Sequence, residues 1–133
     1  MLNDECRNQR LCAAVHAAVV HLSQNLQSCN VARGVRVLDI GAGSGLLAMA
    51  AARAGAEHVT ACEVDPLVAS AAAAVIKANG FERTITLLPR HSSELSVRDL
   101  RGGQPVDLVT HELLDSVERL KSCLLYTSDA ADE

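Results

Sequence analysis

The run Val35-Arg36-Val37-Leu38-Asp39-Ile40-Gly41-Ala42-Gly43-Ser44-Gly45 decides the fold. Residues 35–40 are an apolar stretch of strand length. The glycine cluster that ends it lets the backbone turn sharply and approach a ligand where a Cβ would collide. The next ten residues, LLAMAAARAG, favour helix through their alanines and leucines and stop at Gly55. Strand, glycine turn and helix in that order aim backbone N–H groups and the positive end of a helix at one spot, which suits a carboxylate or phosphate.

Downstream the pattern repeats. HVTAC at 58–62 reads as a second strand. A helix follows, with Asp65 as cap, Pro66 in its first turn and Gly80 just past its end. TITLL at 84–88 and VDLVT at 106–110 supply two more strands. Upstream, Leu11, Val15, Ala18, Val19 and Leu22 recur at helical spacing, so residues 8–22 read as an amphipathic helix starting at the Asn3-Asp4 pair or at Asn8. Residues 23–34 read as a polar linker. Strands alternating with helices indicate a doubly wound, mainly parallel α/β sheet, in which ligands sit at the carboxyl ends of the strands.

The glycine spacing narrows the ligand. A dinucleotide fingerprint runs G-x-G-x-x-G/A, but the sixth residue from Gly41 is Leu46, and the third glycine, Gly45, comes one place early. That spacing favours S-adenosylmethionine over NAD or FAD. Twenty residues after Gly43, at the end of the second strand, Glu63 is placed to accept hydrogen bonds from both hydroxyls of a ribose, and an acid there disfavours a 2′-phosphate. The plainer alternative is a tight strand-to-helix turn with Glu63 as a solvated strand end.

Composition bounds the rest. A chain of 133 residues suits one domain. With one Phe, one Tyr and no Trp, its core must come from Leu, Val, Ile and Ala. The net charge of −4, with acids and bases interspersed, offers no basic face to nucleic-acid phosphates, so no direct nucleic-acid partner is expected. Apolar runs such as Val68 to Ile76 are too short and alanine-rich to span a bilayer, and the N-terminus is polar. A soluble protein of the cytoplasm or nucleus, with no membrane partner, is expected. Five cysteines, odd in number and without a CxxC pair or a Cys/His cluster, read as reduced thiols, several of them buried, and not as a metal site.

Several segments taken together resemble the protein arginine methyltransferase family, and within it the monomethylating branch. MLNDECR at 1–7 is similar to the family's M-L-x-D-x-x-R segment, VLDIGAGSGLLAM to its cofactor loop and ACEVD to its second-strand acid; NGF, HSSEL and HELLD follow in family order. The resemblance runs from Met1 to about Ser116 and implies a Rossmann-like class I methyltransferase fold, with residues 1–116 as a partial S-adenosylmethionine-binding domain. It also implies that Arg7 pairs with the cofactor's amino-acid carboxylate, which suits a bidentate guanidinium. Asp39 and Gly41 would hold the methionine end, Gly43 and Gly45 of the same loop would also bind the cofactor, Glu63 would hold the ribose, and Ser92 and Ser93 would lie beside the adenine. For Arg7 the alternative is a surface arginine, and for the two serines an ordinary loop. His91 and His111 read as ordinary polar residues.

Glu112 matches the first acid of the family's double-glutamate loop, which makes it the candidate catalytic residue. A guanidinium is protonated and delocalised at neutral pH and must approach a sulfonium, another cation. A pair of carboxylates can offset that charge and localise a lone pair on the attacking nitrogen. Implied substrates are arginine-containing proteins such as histones or RNA-binding proteins, and implied assembly is a dimer or pseudo-dimer of the full-length enzyme.

The chain also departs from the family. The second glutamate is expected nine residues after Glu112, where Lys121 stands, and Glu118 is at the wrong offset. From about Val117 to Glu133 the resemblance is lost, and SCLLYTSDAADE looks like translated adaptor sequence or a disordered tail. The family's downstream Thr-His-Trp motif and β-barrel are not among these residues, so the chain reads as a fragment of a longer enzyme with little catalysis of its own. Two other functions stay open: a methyltransferase acting on another substrate, and a non-catalytic nucleotide-binding module.

Overall fold

The computed structural model describes residues 4–111. Glu112, Lys121 and the tail therefore lie outside the described residues. The helix α1 spans Glu5–Ser28, β1 Arg36–Ile40, α2 Leu46–Arg53, β2 His58–Cys62, α3 Pro66–Ala78, β3 Ile85–Leu88 and β4 Leu108–His111. Three short 3-10 turns, Ser92–Glu94, Val97–Asp99 and Arg101–Gly103, fill the connection from β3 to β4. The strands form one parallel sheet in the order β3-β2-β1-β4. The chain reverses its direction of travel across the sheet between β1 and β4, which makes the carboxyl ends of those strands the switch point of the doubly wound design.

A parallel strand is buried on both faces, and β1 shows how its alternation is used. Val37 points into the larger core with Val59 and Ala61 of β2, Ile85 of β3, Val15 and Val19 of α1, Leu47 and Ala48 of α2, and Ile76 of α3. Leu38 and Ile40 point the other way, to Cys62, Leu95 and Leu100. The three helices thus share one face, and the other is covered, among the described residues, by the 3-10 connection. Each fully buried aliphatic side chain here contributes about 1.5–3 kcal/mol. The alanines of α2 and α3 matter because Ala48, Ala51 and Ala72 bring helix backbone close to its neighbours.

The helix α1 corrects the sequence reading. It begins where Asp4 accepts a hydrogen bond from Arg7 N–H at 2.9 Å, but it runs through Ser28, six residues beyond the expected end at Leu22. The reason is Leu26, one turn after Leu22; both pack on the core, so the apolar stripe continues under a polar-looking segment. Residues 23–28 are therefore helix and not linker. Asp65 caps α3 as expected, accepting from the N–H groups of Leu67 and Val68.

The amino-terminal edge of the sheet is tied by charge. Arg33 grips Asp107 with two bonds of 2.7 and 3.0 Å, and Asp107 also accepts from Arg36 N–H at 2.9 Å. Burial pushes the Asp107 carboxyl up, yet these bonds outweigh it and hold the group below its ordinary value of 3.8; the same pairing raises Arg33. Together they fix β4 against β1. Of the four described cysteines only Cys62 is buried, fewer than the composition suggested. Among the described residues, no helix is long and apolar enough to cross a membrane.

Candidate functional site

The carboxyl edge of the sheet gathers most of the residues singled out in the sequence. The first strand, β1, ends at Ile40, and the chain then makes a run of left-handed turns, with φ of +68° at Gly41, +55° at Gly43 and +85° at Gly45. Such angles strain any residue with a Cβ. Gly45 has a second reason to be glycine: an added Cβ would lie 3.4 Å from two carbons of Ile76, which packs α3 against the start of α2. Gly43 differs. The nearest atom to a Cβ there would be 4.0 Å away, so open space lies beside it. Gly45 caps α2 without a side-chain hydrogen bond, and the first N–H groups of that helix face this end.

Glu63 follows the last residue of β2 and turns back onto the loop. Its Oε2 accepts from Gly43 N–H at 2.9 Å and its Oε1 from Asp65 N–H at 3.2 Å. The carboxylate thus latches the glycine loop to the β2–α3 turn. A carboxylate is an acceptor with about four lone-pair sites, of which these N–H groups take two. The half-buried acid retains capacity for two hydroxyls, and its charge repels a phosphate.

Asp39 is the penultimate residue of β1 and only 2% exposed. It stands opposite Thr110 of β4 in register, and its Oδ1 accepts from Thr110 Oγ1 at 2.8 Å. The carboxylate is therefore oriented by the neighbouring strand at the switch point, a constraint the sequence reading did not include. Arg7 is half-buried in the first turn of α1, one turn before Leu11, which packs on the core. Because α1 leads back to the start of β1, it runs against the strands; its 24 residues extend about 36 Å, which carries its first turn toward the carboxyl edge. Ser92 and Ser93 open the 3-10 turn after β3, at the same edge. The fourth strand, β4, ends there too at His111.

His91, which reads in the sequence as an ordinary polar residue, has a structural role. It caps that turn: its Nδ1 accepts from Ser93 N–H at 3.1 Å and lies 2.7 Å from Ser93 Oγ. The local turn signals carried by Asn, Asp, Ser and Thr do not include histidine, so this cap had no sequence signature.

These residues fit S-adenosylmethionine: a loop with open space beside Gly43, an uncapped helix start for a carboxylate, and an acceptor-only acid for ribose hydroxyls. The comparisons with known proteins agree. An arginine N(omega)-methyltransferase of Streptomyces achromogenes is 46% identical over 116 residues, which is 86% of this chain and 28% of the relative. A protein arginine N-methyltransferase 7 of Oryza sativa is 40% identical over 124 residues, covering 87% of this chain and 16% of the relative. The solved PRMT1 enzyme–prozyme heterotetramer of Trypanosoma brucei, with AdoHcy, superposes with a TM-score of 0.68 at 31% identity, covering 84% of this chain and 30% of that one. The chain spans less than a third of the length of each of these proteins. The family described as ribosomal protein L11 methyltransferase (PrmA) matches residues 16–120, most of the chain. With that match over a Rossmann-like sheet, the chain belongs to the PrmA-like methyltransferase family.

Proposed function

We propose that this chain is the S-adenosylmethionine-binding domain of an enzyme that methylates the guanidinium of arginine in proteins. The observation that carries the reading is the latch: Glu63 at the end of β2 holding the N–H of Gly43, with open space beside that glycine. The likeness to arginine methyltransferases supports the substrate.

When bound, S-adenosylmethionine supplies a methyl group on an electron-poor sulfonium. Glu63 orients the ribose, the glycine turn and the start of α2 receive the amino-acid end, and Arg7 pairs with its carboxylate. Glu112, directly after His111, accepts N–H groups of the incoming guanidinium and offsets the doubled positive charge. The transfer needs no covalent help from the protein, so holding the two reactants together at this edge would supply much of the rate. We place the enzyme in the cytoplasm or nucleus and expect it to act as a dimer or pseudo-dimer; the heterotetrameric trypanosome structure supports oligomerisation.

The streptomycete relative's name specifies arginine without a protein, which makes the free amino acid the second reading. Calorimetry on this chain tests the cofactor: S-adenosylhomocysteine should bind and NAD should not, and tighter binding of NAD would overturn the assignment. Transfer of a labelled methyl group by the full-length protein carrying these residues tests the substrate. Label in an arginine-rich peptide, with none in its lysine-substituted counterpart, supports protein arginine. Label in free arginine alone supports the second reading.

A further inference from the structure

We infer that Thr110 is a positioning residue whose hydrogen bond to Asp39 locks the end of β4 onto the end of β1, and so fixes the place of the arginine acceptor relative to the methyl donor. The inference rests on the function proposed above and adds to it a buried residue that acts through another. Asp39 and Thr110 stand opposite each other as the penultimate residues of their strands. Two residues after Asp39 the glycine loop begins at Gly41, and two residues after Thr110 stands Glu112. The bond thus fastens together the two strand ends from which the donor's loop and the acceptor's carboxylate depart.

The pair differs from the one before it. Two residues back on the same face, Val37 stands opposite Leu108, and both belong to the larger core as hydrocarbons. Such a contact tolerates a small slide or rotation. Asp39 and Thr110 are 2% and 8% exposed, so water competes little for their bond. The hydroxyl donates to Asp39 Oδ1 at 2.8 Å, and the strength of such a bond falls steeply with angle. A valine would fill the same space and suit a strand as well, so the hydroxyl adds direction and not bulk. At the other end of this strand pair, Asp107 accepts from Arg36 N–H and from Arg33. The two strands are thus pinned at both ends, and the carboxyl pin is the one beside the site. Methyl transfer is sensitive to that pin, because a misplacement of about 1 Å between reacting groups can cost about a hundredfold in rate.

The test uses the full-length protein carrying these residues. Thr110→Val should slow single-turnover transfer of a labelled methyl group, to whichever arginine acceptor the wild type labels, by about ten- to a hundredfold at saturating donor. Its dissociation constant for S-adenosylhomocysteine, from calorimetry, should stay within about threefold of wild type. Thr110→Ser, which keeps the hydroxyl, should retain most of the rate. Hydrogen exchange gives a readout independent of turnover. In Thr110→Val it should quicken at the carboxyl ends of β1 and β4 and hold at their amino ends, where Asp107 still ties them. Turnover in Thr110→Val within about twofold of wild type overturns the inference. An equal loss of rate in Thr110→Ser overturns it too, because packing would then be the cause. So does a matching loss of S-adenosylhomocysteine affinity, or exchange that quickens along the whole of both strands. If S-adenosylhomocysteine binds in a Glu63-dependent way and arginine takes the label, while Thr110→Val matches wild type, this inference alone fails. If the wild type binds no S-adenosylhomocysteine or labels no arginine, the proposed function falls and this inference with it.

Discussion

Replacing Glu63 by alanine separates its two roles, latch and ligand. As a latch it accepts two backbone N–H bonds, of 2.9 and 3.2 Å, at a half-exposed edge that water can reach. Water replaces a lost partner there, so unfolding should become easier by less than about 1 kcal/mol, a melting shift of only a few degrees. As a ligand it presents a charged acceptor to ribose hydroxyls, and a bond of that kind is worth about 1.5–3 kcal/mol. S-adenosylhomocysteine should therefore bind about 10- to 150-fold more weakly to Glu63→Ala by calorimetry. Glu63→Gln should fall between, because its amide keeps one acceptor but sets an NH2 against a backbone donor. A dissociation constant within twofold of wild type, with the melting temperature held, would mean that Glu63 serves the loop and not the ligand.

Gly45→Ala should cost about 1–2 kcal/mol in urea unfolding, because φ of +85° strains an alanine and its Cβ would crowd Ile76; an unchanged midpoint would refute that packing. Gly43→Ala, with open space around it, should instead weaken S-adenosylhomocysteine binding more than it weakens the fold. Asp107→Asn should destabilise by about 1–2 kcal/mol by loosening the Arg33 grip and the β1–β4 pairing, checked by thermal melting. Acid should act in two stages. Burial holds His58 below its ordinary 6.5, so the unfolded chain takes up a proton that the native one resists, and stability should decline as pH falls below about 6.5. Asp107, held below 3.8, contributes stability that is present above that value and is lost as pH falls further. A flat unfolding free energy between pH 7 and 5 would contradict the His58 stage.

The parts of the fold that could be read directly were those in which local chemistry and tertiary packing agree. Asp65, Pro66 and Gly80 bracket α3 because cap, first turn and stop are decided by residues next to one another. Val37 and Leu38 belong to opposite cores, yet both are apolar, so β1 reads as a strand without revealing which face is which. The end of α1 was missed because the sparse stripe of Leu22 and Leu26 is outnumbered by polar neighbours, and packing decides. The β3–β4 connection carries no helical period; its 3-10 turns are held by side-chain caps such as His91 and by Leu95 and Leu100 reaching the second core. At the site, Gly43 and Glu63 were legible from spacing. The bond from Thr110 to Asp39 was not, because the two meet only through the register of β4 on β1.

The methyl donor should lie along the carboxyl edge, from the glycine loop to the end of β3. A crystal structure of this chain with S-adenosylhomocysteine would decide it. The ribose hydroxyls should lie within hydrogen-bond distance of Glu63, the amino-acid end over Gly41 to Gly45, and the base beside Ser93. Ligand density elsewhere on the protein, with that edge empty, would contradict it.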